Sequence, residues 1–225
     1  MAGILYVVAT PIGNLSDITL RALETLKSVD RIVAEDTRVT SKLLSHFQFK
    51  KPLISLRARS PRAMFEKVAR MVEEGETLAY VTDAGTPGIS DPGSILVSLV
   101  REYAGEKAVV PIPGVSALGA ALSVAGIPVD EFVFLGFLPH KKGRQTLLEE
   151  IQTMERAVVM YESPHRIKKL LDELALRVPD RKVVIFREMT KMYEQIAAGT
   201  ATDIHARLSK GDIPERGEFV VIVGA

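Results

Sequence analysis

The sequence predicts an α/β protein of two domains, the first built on a mostly parallel sheet with helices on both faces and the second on a mixed sheet. Three observations carry that expectation. Short β-branched runs alternate with amphipathic stretches from residue 4 to about residue 110, the pattern of strands and crossover helices in a parallel sheet. Pro111-Ile112-Pro113-Gly114 punctuates the chain where its character changes, marking a linker and a boundary near residue 113. Beyond it the runs read β, α, β, α, β and close with two more strands around a helix.

In order, Ile4 to Ala9 is an apolar run of strand length that Pro11 stops, and Ile18 to Leu26 has helical spacing. Arg31 to Ala34 is a second strand, Ser41 to Phe47 a helix, Leu53 to Leu56 a third strand and Ala63 to Glu74 a helix. Leu78 to Val81, Ile95 to Tyr103 and Ala108 to Ile112 repeat the unit. A small-residue helix, Val115 to Ala125, opens the second half, its Ala, Gly and Ser content allowing close packing. Strands follow at Phe132 to Gly136, Ala157 to Tyr161, Lys182 to Arg187, Gln195 to Ala198 and Glu218 to Val223. Helices lie between them at Thr146 to Thr153, Ile167 to Leu176 and Asp203 to Leu208.

Composition narrows the class. With 47% hydrophobic and 25% charged residues the chain has an ordinary globular balance. It has no cysteine, which excludes disulfides, thiolate metal sites and a thiol nucleophile. His46, His140, His165 and His205 show no metal-ligand spacing, so no metal is expected. No run approaches the roughly 18 to 20 apolar residues of a membrane span, and a cytoplasmic protein is expected. The net charge of +1 carries no overall basic footprint, although Lys141-Lys142-Gly143-Arg144, His165 to Lys169 and Arg181-Lys182 form local clusters.

The most informative segment is Thr82 to Gly93, with three glycines and two prolines directly after a strand. It is far longer than a plain strand-to-helix turn needs, and glycine lets backbone approach a ligand closely. Thr10 to Asn14 and Glu35 to Arg38 follow two other strands, so three polar loops are expected at the carboxyl edge of the sheet, where ligands of such folds collect. The dinucleotide fingerprint G-x-G-x-x-G is missing after the first strand, and no phosphate-loop lysine appears.

Taken together, Val8 to Leu15, Ala34-Glu35-Asp36-Thr37-Arg38, the Asp83 to Pro92 loop, Pro113 to Ala117 and Tyr161-Glu162-Ser163-Pro164-His165-Arg166 resemble the tetrapyrrole methylase superfamily of S-adenosylmethionine (SAM)-dependent enzymes. Arg187 to Lys191 and Gly217 to Val220 extend the resemblance to the last strand. Relatives that methylate macrocycles open with a G-x-G-x-G-D loop, here Ala9 to Asn14, and carry G-D-P where this chain has Gly85-Thr86-Pro87. Those departures favour the branch of the superfamily that modifies ribosomal RNA. The resemblance then implies 2′-O-methylation of a cytidine in 16S rRNA of the small ribosomal subunit, by a homodimer. Domain 1–113 would supply cofactor and substrate loops, and domain 114–225 would complete the SAM cleft.

By the same resemblance SAM is held by Pro11, Asp83, Gly85, Thr86, Gly88, Ile89, Ser90, Ser116, Ala117, Tyr161 and Ala197. Arg57, Arg59 and Arg62 stand where relatives commonly carry a His/Glu/Asn-rich segment, and they suit phosphate. Many relatives continue past the last strand, so RNA docking here is expected to draw on basic clusters or a dimer partner. Methyl transfer from a sulfonium to a ribose oxygen needs positioning and deprotonation. Asp36, Glu162 and Lys191 are the catalytic candidates, and Arg38, His165, Arg166 and Arg187 the substrate contacts. Asp83 has a second reading, shaping the glycine loop by accepting its N–H groups. A small-molecule methylase and a non-catalytic SAM- or RNA-binding module are the alternatives.

Overall fold

The computed structural model describes residues 2–225, which divide into two compact units, one ending at Ser116 and the other running from Ala117 to Ala225. The first holds β1 (Leu5–Val8), α1 (Leu20–Ser28), β2 (Arg31–Ala34), α2 (Thr37–His46), β3 (Leu53–Ser55), α3 (Arg62–Glu73), β4 (Leu78–Val81), α4 (Gly93–Ala104) and β5 (Val109–Ile112). All strand pairs are parallel, in the order β3-β2-β4-β1-β5. Alternation sorts the side chains: Leu5, Leu78 and Tyr80 pack under α3 and α4, whereas Val8, Ala79 and Val81 pack under α1 and α2. Both faces are covered, as the sequence led us to expect. Because α1 leaves β1 on one face and α4 leaves β4 on the other, the neighbours β1 and β4 form the topological switch point of this sheet.

Local chemistry explains the element ends. Thr19 caps α1 by accepting the Ala22 N–H at 3.0 Å. Helix α2 starts four residues earlier than its apolar periodicity indicates, because the Asp36 carboxylate accepts the Arg38 N–H at 2.9 Å and caps it. Pro111, expected in the linker, lies in edge strand β5 opposite Val7, a position where a missing N–H is tolerated.

The second unit holds α5 (Ala117–Ser123), β6 (Phe132–Phe137), α6 (Arg144–Thr153), β7 (Ala157–Glu162), α7 (Ile167–Arg177), β8 (Val183–Arg187), β9 (Gln195–Gly199), α8 (Ala201–Lys210) and β10 (Phe219–Val223). Its sheet runs β6-β7-β10-β8-β9, with β6 parallel to β7 and the remaining pairs antiparallel. This is the mixed sheet the sequence predicts. Helices α6, α7 and α8 cover one face, and Ala121 of α5 packs on the other against Val159, Val184 and Phe186. Helix α5 is shorter than the small-residue run from which it was expected. A capping box of Thr200 and Asp203 starts α8, and Gly211 at φ 85° ends it.

Candidate cofactor and substrate site

At the switch point of the first unit the loops after β1 and β4 are hydrogen-bonded to each other. Thr10 and Gly85 exchange both backbone hydrogen bonds at 3.0 Å, and the Thr10 hydroxyl donates to the Thr82 carbonyl at 3.3 Å. Gly85 has φ 79°, and a Cβ there would sit 3.2 Å from Ile12 Cγ2, so glycine is required both by conformation and by the approach of the first loop. The Thr86 hydroxyl donates to the Val115 carbonyl at 2.8 Å, attaching the loop after β5. The loop after β2 joins through the Asp36 N–H, which donates to Asp83 Oδ1 at 2.9 Å. Four loops thus meet at one edge. Gly88, at φ 89°, has nothing within 4 Å of where a Cβ would stand, so its backbone is open to a ligand.

The edge is acidic. Burial, reinforced by the Asp83 and Asp91 carboxylates, raises the Glu35 carboxyl above its ordinary range, with Arg57 opposing. Asp36 shifts the other way, because the Arg38 guanidinium grips both its oxygens at 2.5 to 3.1 Å and the Arg38 N–H adds a bond. A concentration of carboxylates beside an open glycine backbone suits a ligand with a positive centre. Arg38 is 82% exposed beyond its ion pair, and Arg57, Arg59 and Arg62 are exposed after β3. That basic fringe suits phosphate.

In the second unit, the turn after β7 is anchored by buried charge. The Glu162 side chain is 0% exposed, with Oε2 3.0 Å from Arg166 Nη2 and 3.8 Å from Arg144 Nη1, while Oε1 accepts the Ser163 N–H. Glu162 Oε2 makes a close charge contact with Arg166 but no well-aligned hydrogen bond, so the ion pair and not a directed bond holds it. Arg144 also binds Glu173 at 2.6 Å, and Arg166 Nη2 donates to the Leu138 carbonyl. In this geometry Glu162 orders the turn and presents no free carboxylate to a substrate. His165, on the same turn, is exposed.

The loop after β8 is strained. Glu188 and the β-branched Thr190 have φ 51° and 65°, and such residues are held by their surroundings at a cost of order 1–3 kcal/mol each. Burial pushes the Glu188 carboxyl up, but bonds from Lys191 Nζ and the Glu218 N–H outweigh it and hold it below the ordinary range. Lys191 lies between Glu188 at 2.8 Å and Glu218 at 2.9 Å. Gly217 is needed beside them, because a Cβ would come within 2.3 Å of Glu188 Cγ. Arg187, expected to face RNA, is instead buried at the end of β8. Its guanidinium donates to the Arg216 and Tyr193 carbonyls at 2.7 and 2.9 Å, so it supports this loop.

A family model described as Tetrapyrrole (Corrin/Porphyrin) Methylases matches residues 4–205. The chain belongs to the tetrapyrrole methylase family. Among curated relatives, Ribosomal RNA small subunit methyltransferase I of Thermotoga maritima is 43% identical over 222 residues, covering 98% of each chain. Its counterpart in Neisseria meningitidis serogroup B is 46% identical over 224 residues, covering 99% of this chain and 76% of the relative. Solved structures share the fold at low identity. Uroporphyrin-III C-methyltransferase from Thermus thermophilus, complexed with S-adenosyl homocysteine, aligns with a TM-score of 0.66 at 16% identity, covering 99% and 97% of the two chains. Diphthine synthase aligns with a TM-score of 0.71 at 12% identity, covering 99% and 90%.

Of the residues expected to bind cofactor in this tetrapyrrole methylase family member, Pro11, Asp83, Gly85, Thr86, Gly88, Ile89 and Ser90 meet at the switch point of the first unit, with Asp36 and Arg38 beside them. Ser116 closes that unit. Ala117, Tyr161 and Ala197 belong to the second, where Tyr161 stacks edge-on against Phe134 and Phe137 and Ala197 is buried in β9. Asp83 does not shape the glycine loop as expected, since its carboxylate accepts from the neighbouring loop. That role falls to Asp91, which accepts the Gly88 and Gly93 N–H groups and was not among the expected residues. An aspartate between Ser90 and Pro92 in a glycine loop is an Asx-turn signal that could have pointed to it. Glu35 was also missed, because its environment comes from Asp83 and Asp91, some fifty residues away in sequence.

Proposed function

We propose that this chain uses S-adenosyl-L-methionine to methylate the 2′-oxygen of a cytidine ribose in 16S rRNA of the small ribosomal subunit. The observation that carries the reading is identity of 43 to 46% over essentially the whole chain to enzymes named ribosomal RNA small subunit methyltransferase I. The switch-point loops fit the cofactor: Gly88 offers open backbone, and Glu35, Asp36, Asp83 and Asp91 place negative charge where a sulfonium would be favoured. SAM, when bound, supplies a methyl group on a cationic leaving group, so the protein has to position the ribose and accept its proton. Asp36 is the proposed group for handling the hydroxyl, Glu162 acts by holding Arg166 and the turn that carries His165, Lys191 acts by holding the loop after β8 through Glu188 and Glu218, and Arg38 with Arg57 and Arg59 takes phosphate. Homodimerisation and action in the cytoplasm belong to the same proposal. Among the described residues no helix is long and apolar enough to cross a membrane.

The experiment is transfer of radiolabelled methyl from SAM to small ribosomal subunits lacking ribose methylation, followed by nuclease digestion to place the label. Label on the 2′-oxygen of one 16S cytidine is the expected result. Label on a base, or methylation of tetrapyrrole precursors in place of RNA, would overturn it.

A further inference from the structure

Given the SAM site proposed above, we infer that Asp91 and Tyr80 form a clamp that sets the shape of the glycine loop and so the affinity for cofactor. One carboxylate joins three parts of the first unit. Asp91 Oδ2 accepts the N–H of Gly88, in the middle of the loop, at 2.6 Å. Asp91 Oδ1 accepts the N–H of Gly93, the first residue of α4, at 2.8 Å, and the hydroxyl of Tyr80 at 3.1 Å. Tyr80 lies in β4 with 0% exposure, so its phenol is a fixed donor rising from the sheet core. Burial and the carboxylates around it raise the Tyr80 hydroxyl far above its ordinary range, so it stays a donor throughout the working pH range.

Close packing at the start of α4 supports this clamp. A Cβ on Gly93 would come within 2.7 Å of Tyr80 Cε1 and 2.8 Å of Asp91 Oδ1, so the start of α4 is pressed against both members. Pro87 and Pro92 fix φ on either side. Between them Gly88 has a left-handed φ of 89° and an open side, while Ile89 and Ser90 are exposed. A loop of this composition has many conformations in isolation. The contacts of Asp91 restrict it to one, which lowers the ordering cost of binding. Asp91 and Tyr80 are therefore positioning residues, acting on the cofactor through Gly88 and its neighbours.

Calorimetric titration of the full chain with SAM tests the clamp, using Asp91→Asn, Tyr80→Phe and a core control, Val68→Ala in α3. Asp91→Asn sets an amide donor against either the Gly88 N–H or the Gly93 N–H, and SAM affinity is expected to fall about tenfold or more. Tyr80→Phe removes one donor and is expected to weaken SAM about threefold to tenfold, while Val68→Ala lowers the melting temperature with affinity within about twofold of the parent. In turnover, both clamp variants raise KM for SAM in step with their loss of SAM affinity. Asp91→Asn and Tyr80→Phe binding SAM as the parent does would overturn the clamp and leave the SAM site standing, as would Val68→Ala weakening SAM as much as they do. No SAM binding by the parent chain would overturn the SAM site itself and the clamp with it.

Discussion

Replacing Glu162 with glutamine separates an anchoring role from a chemical one. Its Oε2 lies 3.0 Å from Arg166 and 3.8 Å from Arg144, with the side chain fully shielded from solvent. At an effective dielectric of about 20 those separations correspond to attractions of ~5.5 and ~4.4 kcal/mol before desolvation is counted. Taking the carboxylate out of water returns several kcal/mol, and deleting one partner of a buried pair leaves a net loss of about 3–5 kcal/mol. The glutamine carbonyl still accepts the Ser163 N–H, and Arg144 keeps Glu173 at 2.6 Å, which places this case near the lower end, ~3 kcal/mol. In a chain of this length each kcal/mol moves the melting temperature by about 2–4 °C, so Glu162→Gln is expected to lower it by roughly 6–12 °C. Differential scanning calorimetry measures the shift, and methyl transfer at 25 °C is expected to stay within about threefold. A general base contributes about 10²- to 10⁴-fold. An unchanged melting temperature together with a hundredfold loss of methyl transfer would refute the anchoring role and make Glu162 the base.

Gly85→Ala forces a side chain into φ 79° and against Ile12, which is expected to cost about 1–2 kcal/mol and to raise the dissociation constant for SAM through the Thr10 bridge; thermal melts and titration check both. Arg187→Met is expected to destabilise by about 1–3 kcal/mol, by orphaning the Arg216 and Tyr193 carbonyls, and to leave the salt dependence of RNA binding intact. A drop of about 0.7 to 0.9 in the slope of log affinity against log salt would show a phosphate contact instead. The Asp36 carboxyl is held below its ordinary range, so its contribution to stability is present above about pH 4 and is lost as pH falls further. Arg38→Ala is expected to return the carboxyl toward its ordinary value in a carbon-detected NMR titration, and a carboxyl that still titrates low would mean that the Arg38 guanidinium is not what holds it down.

The alternation of apolar runs was legible in the sequence because periodicity is a local property, and every expected strand and helix is found, with ends displaced by a few residues. The displacements have local causes that periodicity does not see, such as the Asp36 cap that starts α2 early and the edge position that lets Pro111 pair in β5. The glycine loop was legible too, since its length and its glycine and proline content exceed what a turn requires.

By itself the sequence determined the α/β class, the two kinds of sheet and the residue types that meet at the carboxyl edge of the first. Only the tertiary structure decided what each charge does there. Glu162, Lys191 and Arg187 look like site residues in a linear reading, yet one is buried between two guanidiniums, one lies between two carboxylates and one grips backbone carbonyls. Asp91, inconspicuous in the chain, accepts from three donors. The physical reason is that a charged group's role is set by burial and by neighbours within a few ångströms. The parallel sheet supplies those neighbours, bringing Asp36 to Asp83 and Thr10 to Gly85 across 47 and 75 residues of chain.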